Sequence, residues 1–113
     1  MSEEYRQRDV ILIPFPYSDL TGAKLRPALI LSNNKLTETE DFICCLITSK
    51  ESKEGILIAR SAFAQGALPF QSWVKPHRLF TINKKIIQKK ICTFSSLFHK
   101  KIISKIDEFF EEN

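Results

Sequence analysis

The sequence predicts a mainly-β fold: a small, curled, mostly antiparallel barrel of five to seven strands with one C-terminal amphipathic helix. Three observations carry this expectation. Short apolar runs rich in Val, Ile and Phe recur through residues 10–94, separated by polar or Gly/Pro-containing turns. Two of them are apolar on both faces, as central strands are. Past residue 95 the apolar spacing changes to that of a helix.

Residues 10–15 form the first β-rich run. Pro14 and Pro16 close it, which puts its end at a sheet edge or a bulge. Residues 17–25 carry the turn signals Ser18-Asp19 and Thr21-Gly22. Residues 27–32 and 42–48 read as two central strands joined across the polar stretch 34–41. Polar residues 50–55 lead into a short fourth strand at 56–59. Residues 62–70 read as irregular, punctuated by Gly66 and Pro69. Residues 72–82 make a long strand in which Pro76 calls for an edge position or a bulge. Residues 86–94 fit a helical turn followed by a small strand, and periodicity does not decide between the two. Ser95 or Ser96 then caps a helix. Its Phe98, Ile102, Ile103, Ile106, Phe109 and Phe110 form the core stripe, with Lys100, Lys101 and Lys105 on the other face. His99 falls on the helix surface, and Glu111 and Glu112 oppose the macrodipole and fray the last turn.

At 113 residues the chain is a single domain, 1–113, with room for one core that needs no metal or disulfide. Hydrophobic residues make up 43% and charged residues 27%, the balance of a globular chain. No run approaches the ~18 apolar residues that would cross a membrane. The acidic N-terminus lacks the apolar stretch of a secretion signal, which points to the cytoplasm. Cys44, Cys45 and Cys92 read as small buried hydrophobes, and with two distant histidines they offer no metal-ligand spacing. The net charge of +4 is uneven: residues 84–113 hold seven lysines against four acids. That surface attracts RNA or an acidic peptide, and a merely solvated lysine face reads the same.

The most informative residues are Lys24-Leu25-Arg26-Pro27 at the head of one central strand and Thr48-Ser49 at the tail of the next. If the two strands pair as a hairpin, Arg26 and Thr48 become cross-strand neighbours. A guanidinium fork beside a hydroxyl suits a phosphodiester. Arg26 would bind a scissile phosphate and stabilise the charge of its pentacoordinate transition state. Thr48 and Ser49 would orient it by donating hydrogen bonds. RNA cleavage without a metal also needs proton transfer. His77 is the candidate, because imidazole titrates near ~6.5 and alternation puts it on one face of its strand with Lys75. Trp73, Phe70, Phe15 and Tyr17 are candidates for stacking on unpaired bases, and Asp19 for accepting from base edges or capping its own turn. Lys24 adds a cation to the same region.

The string from Asp9 to Phe15, the Lys24–Ser32 segment with its Arg-Pro, and Ile47-Thr48-Ser49 together resemble the MazF/PemK family of type II toxin–antitoxin toxins. The likeness continues through Ser72-Trp73-Val74 and Thr81-Ile82 to the final helix. It implies an SH3-like barrel, a homodimer, and an endoribonuclease that needs no metal or other cofactor. Such an enzyme cuts single-stranded messenger RNA to 2′,3′-cyclic phosphate and 5′-hydroxyl ends. A cognate antitoxin would block the site with an acidic tail, and operator DNA would be reached only through that antitoxin. The family's catalytic arginine and threonine match Arg26 and Thr48. In the Kid/PemK branch, the arginine and aspartate acting as acid and base fall on Lys75 and His77. The glycine usual before the first strand's acid is Arg8 here, an added cation expected at the groove. The glycine usual before the last helix is replaced around Ile91-Cys92. Two other functions fit the same fold: a CcdB-like gyrase poison, and an inactive co-repressor binding antitoxin and DNA.

Overall fold

A computed structural model describes residues 4–15 and 24–113. Seven strands and one helix follow one another as β1 (Asp9–Phe15), β2 (Lys24–Ile30), β3 (Asp41–Thr48), β4 (Ile56–Leu57), β5 (Phe63–Gly66), β6 (Trp73–Asn83), β7 (Lys89–Phe94) and α1 (Ser96–Phe109). The strands form a single curled sheet in the order β4-β6-β3-β2-β1-β7-β5, every neighbouring pair antiparallel. The fold class is the expected one.

The central strands are apolar on both faces because both faces are covered. Val10, Leu29, Cys45, Ile47, Val74 and Phe94 pack with Phe98, Ile102 and Ile106 of α1. Ile11, Ile13, Ala28, Ile30, Cys44 and Ile82 fill a second cluster on the opposite face, closed by Tyr5, Phe15, Phe80 and Ile87. Cys44 and Cys45 therefore point to opposite sides, and with Cys92 they are buried free thiols.

Several elements depart from the sequence reading. Part of the stretch read as irregular is strand β5, where Gly66 (φ 70°) lies so close to β7 that an added Cβ would meet the Ile91 carbonyl at 2.9 Å. Ile91 and Cys92 are strand residues of β7, so no turn forms there. The chain turns instead at Ser95, whose Oγ accepts from the Phe98 N–H at 3.1 Å and caps α1. His99 is buried, not superficial, whereas Phe109 is 42% and Phe110 75% exposed. The helix ends at Phe109, ahead of Glu111 and Glu112.

Both proline expectations are resolved by the ladders. β1 is an inner strand, but its pairing to β7 stops at Leu12↔Lys89, so Pro14 sits where no rung is missed, and a bulge falls between Val10 and Ile11. In β6 the register jumps from Leu46↔Lys75 to Cys45↔Leu79, so Pro76, His77 and Arg78 form a bulge between the two rungs.

Candidate active site

The site begins with a fork between β2 and β3. Leu31 donates its N–H to Ile43 on β3 (2.8 Å), and backbone groups alternate sides along a strand, so Leu29 and Pro27 also turn theirs toward β3. Proline has no N–H to give. The β2–β3 ladder accordingly ends at Ala28↔Leu46, one residue short of Pro27. Carrying that register two residues further sets Arg26 opposite Thr48, at the open mouth of the fork. Both side chains are half-buried, and Ser49 just beyond is exposed. Thr48 Oγ1 accepts the Lys50 N–H at 3.1 Å, which fixes the oxygen and leaves the hydroxyl hydrogen available to a ligand.

Cross-strand partners share a face, so pairing identifies the residues around this mouth. Trp73 stands across from Thr48 on one side and from Leu57 on the other; Ile13 stands across from Arg26. One row thus crosses the sheet as Leu57, Trp73, Thr48, Arg26 and Ile13. Lys75, paired with Leu46, lies in the adjoining row on the Thr48 face and is half-buried. Trp73 is also half-buried, its Cβ backed by Gly55, where any added Cβ would come within 3.1 Å. Lys24 is exposed opposite Phe15, whose ring meets Phe80 edge-on at 5.0 Å and is committed to packing. Phe70 is strongly exposed. Tyr17 and Asp19 lie outside the described residues.

The structure does not bring His77 to this mouth. Strict alternation would place it beside Lys75, but the bulge at Pro76 breaks the alternation. Pro76 is fully buried, and the His77 ring lies edge-on to Phe109 of α1 at 6.4 Å, on the helix side of the sheet. Arg8 does not join the groove either. It takes a left-handed φ of 81° at the far end of β1, and its Nη1 donates to the Phe94 carbonyl at 2.9 Å. The side chains gathered at the mouth are hydrogen-bond donors and cations, suited to a polyanion. The thiols take no part: burial pushes Cys44 up to about 12, and burial with the nearby Asp9 carboxylate pushes Cys92 to about 12.

Comparison with known proteins bears on the fold and the family. The family described as "PemK-like, MazF-like toxin of type II toxin-antitoxin system" matches residues 6–110. Among curated proteins, none matches the sequence. An endoribonuclease in complex with its cognate antitoxin from a mycobacterial species superposes with TM-score 0.73 at 18% identity, covering 96% of this chain and 95% of that one. MazF in the MazE–MazF structure (Form-II) from Deinococcus radiodurans gives TM-score 0.72 at 13% identity, over 99% and 100% of the two chains. The Mycobacterium tuberculosis toxin MazF-mt6 gives 0.69 at 16% identity, over 94% and 99%. At these identities the structures establish the shared fold.

Proposed function

Since the chain belongs to the PemK-like, MazF-like toxins of type II toxin–antitoxin systems, we propose that it cleaves single-stranded RNA at the Arg26–Thr48 fork. The observation that carries this reading is the β2–β3 register, which sets a guanidinium across from a hydroxyl just past the last rung. The named activity of the mycobacterial endoribonucleases of the same fold supports it.

In this reading Arg26 grips two non-bridging oxygens of the scissile phosphate, and Thr48, helped by Ser49, donates to one of them. The 2′-oxygen bonds to phosphorus while the P–O5′ bond breaks, giving a 2′,3′-cyclic phosphate and a 5′-hydroxyl. The pentacoordinate transition state carries an extra negative charge, which Arg26 and Lys75 stabilise together. The 2′-proton leaves to solvent, and Lys75, the cation on the Thr48 face, donates toward the departing 5′-oxygen. His77 has no assigned role, because its ring is engaged with Phe109 on the other side of the sheet. Trp73, Lys24 and Ser49 hold the flanking nucleotides. No step calls for a metal or cofactor. A cognate antitoxin with an acidic segment would neutralise the same cations, and a homodimer acting in the cytoplasm completes the proposal. A gyrase poison would need neither Arg26 nor Thr48 at the fork, so the pair disfavours that alternative.

The test is cleavage of a defined single-stranded RNA in EDTA by the wild type and Arg26→Ala. Loss of the guanidinium should slow cutting by roughly 10²–10³-fold, as loss of one transition-state donor does. Intact RNA with wild type, or equal cutting by the variant, overturns the reading.

A further inference from the structure

Beside the fork, the row of paired side chains ends in two apolar residues. Resting on the nuclease reading, we propose that Leu57 and Trp73 form a shelf for the base that follows the scissile phosphate, and that this shelf favours a purine. Leu57 pairs with Trp73, and Trp73 with Thr48, so the three side chains share one face on adjacent strands. A phosphate held at Thr48 therefore has the indole one strand away and the leucine two, at about 4.8 Å per strand. Lys75 gives the chain its polarity. It lies two residues from Trp73 on the same face of β6, ahead of the bulge, and it is the group assigned to the departing 5′-oxygen. The nucleotide that leaves with the 5′-hydroxyl is thus the one over Trp73.

The shelf is open to a ligand and backed from behind. Leu57 is 45% exposed and Trp73 is half-buried. The turn Ser52–Gly55, closed by the Gly55 N–H donating to the Ser52 carbonyl at 3.0 Å, stands against Trp73. A Cβ on Gly55 would meet Ser52 Oγ at 2.9 Å and Trp73 Cβ at 3.1 Å, so the root of the indole has no room to shift that way. Every base has a π-face, and the indole alone would stack on all four without choosing. Leu57 supplies the choice. The single ring of a pyrimidine covers the indole, whereas the second ring of a purine reaches the next strand and buries leucine surface. The opposing reading is that both residues only shield the β4 edge of the sheet. In that case their loss changes stability and leaves the base after the cut unselected.

The probe is a single-stranded RNA pool of random sequence, cut in EDTA, with the fragments bearing a 5′-hydroxyl captured and sequenced. The first base of each fragment is the one that followed the cut. With wild type, purines should exceed pyrimidines there by about tenfold, the discrimination that one added apolar contact gives. Leu57→Ala should level the two, and Leu57→Met, which restores a long apolar side chain, should bring the bias back. A defined RNA cut by wild type supplies the second arm. Trp73→Ala should cut it about tenfold more slowly, the loss of one base–aromatic stack. When the same RNA lacks the base after the cut, wild type and Trp73→Ala should cut alike. Absence of a purine bias, a bias that survives Leu57→Ala, or an equal Trp73→Ala defect on the abasic RNA overturns the shelf while leaving the nuclease reading in place. A wild type that cuts no RNA overturns the nuclease reading, and the shelf falls with it.

Discussion

Arg8 holds a backbone conformation that L-residues avoid, and its side chain supplies the compensation. A φ of 81° costs a non-glycine residue on the order of 1–3 kcal/mol. In return its N–H donates to Ile30, its carbonyl accepts from Phe94, and its guanidinium donates to the Phe94 carbonyl, fastening β1 between β2 and β7. Arg8→Ala keeps the strain and loses the guanidinium bond, so it should lower unfolding free energy by about 1–2 kcal/mol. Arg8→Gly loses the same bond but is free of the strain, and should retain about 1 kcal/mol more than the alanine variant. Urea midpoints of the three proteins check the order, and a glycine variant no better than alanine would refute the strain argument. In the sequence Arg8 reads only as one more cation beside the groove. Its conformation was legible only through the family resemblance, which implies a glycine there.

At the scale of elements, proline decides where ladders stop, and the fork at Arg26 is a consequence of one missing N–H. Pro27→Ala restores a donor aimed at β3 and should extend the ladder toward Ile47. Zipping the fork closed draws Arg26 and Thr48 together and misplaces the phosphate grip. Cleavage should fall by up to roughly 10²-fold, as a displacement of ~1 Å can cause, with no loss of stability. Amide exchange reads the cause: the N–H that the substitution introduces should be protected, and a rapidly exchanging one would sink this account. The Arg26–Thr48 pairing was legible because two apolar strands joined by a short polar stretch leave little choice of register. The site's other half was not. Predicting a common face for Lys75 and His77 assumes an unbroken pleat, but the ladder skips the three residues Pro76 to Arg78, His77 among them. Pro76 announced a disturbance, but not its length, and the length decides which side His77 takes. Strand β5 escaped notice for a similar reason: its partner β7 lies far along the chain, and its own residues, Phe63-Ala-Gln-Gly66, carry little β preference.

Across the whole molecule, α1 is held to the sheet by a buried stripe that contains a titratable residue. His99 is 8% exposed, beside Phe98 and near Arg8, and its Nδ1 is buried with no hydrogen-bond partner among the described residues. Burial first, and the Arg8 charge second, hold its pKa below the usual histidine value of 6.5. The folded chain therefore keeps His99 neutral at a pH where the unfolded chain has already bound a proton. Stability rises with pH wherever the unfolded state holds more protons. The contribution of His99 is thus complete above pH ~6.5 and is lost as pH falls from there toward its lower folded value. His99→Leu, which fills the same apolar site without a titratable nitrogen, should flatten the dependence of urea midpoint on pH between 7.5 and 5 (a window set by the ~6.5 reference). Wild type should lose midpoint across that window relative to the variant. Parallel curves for wild type and His99→Leu would mean that His99 is not the group that couples helix docking to pH.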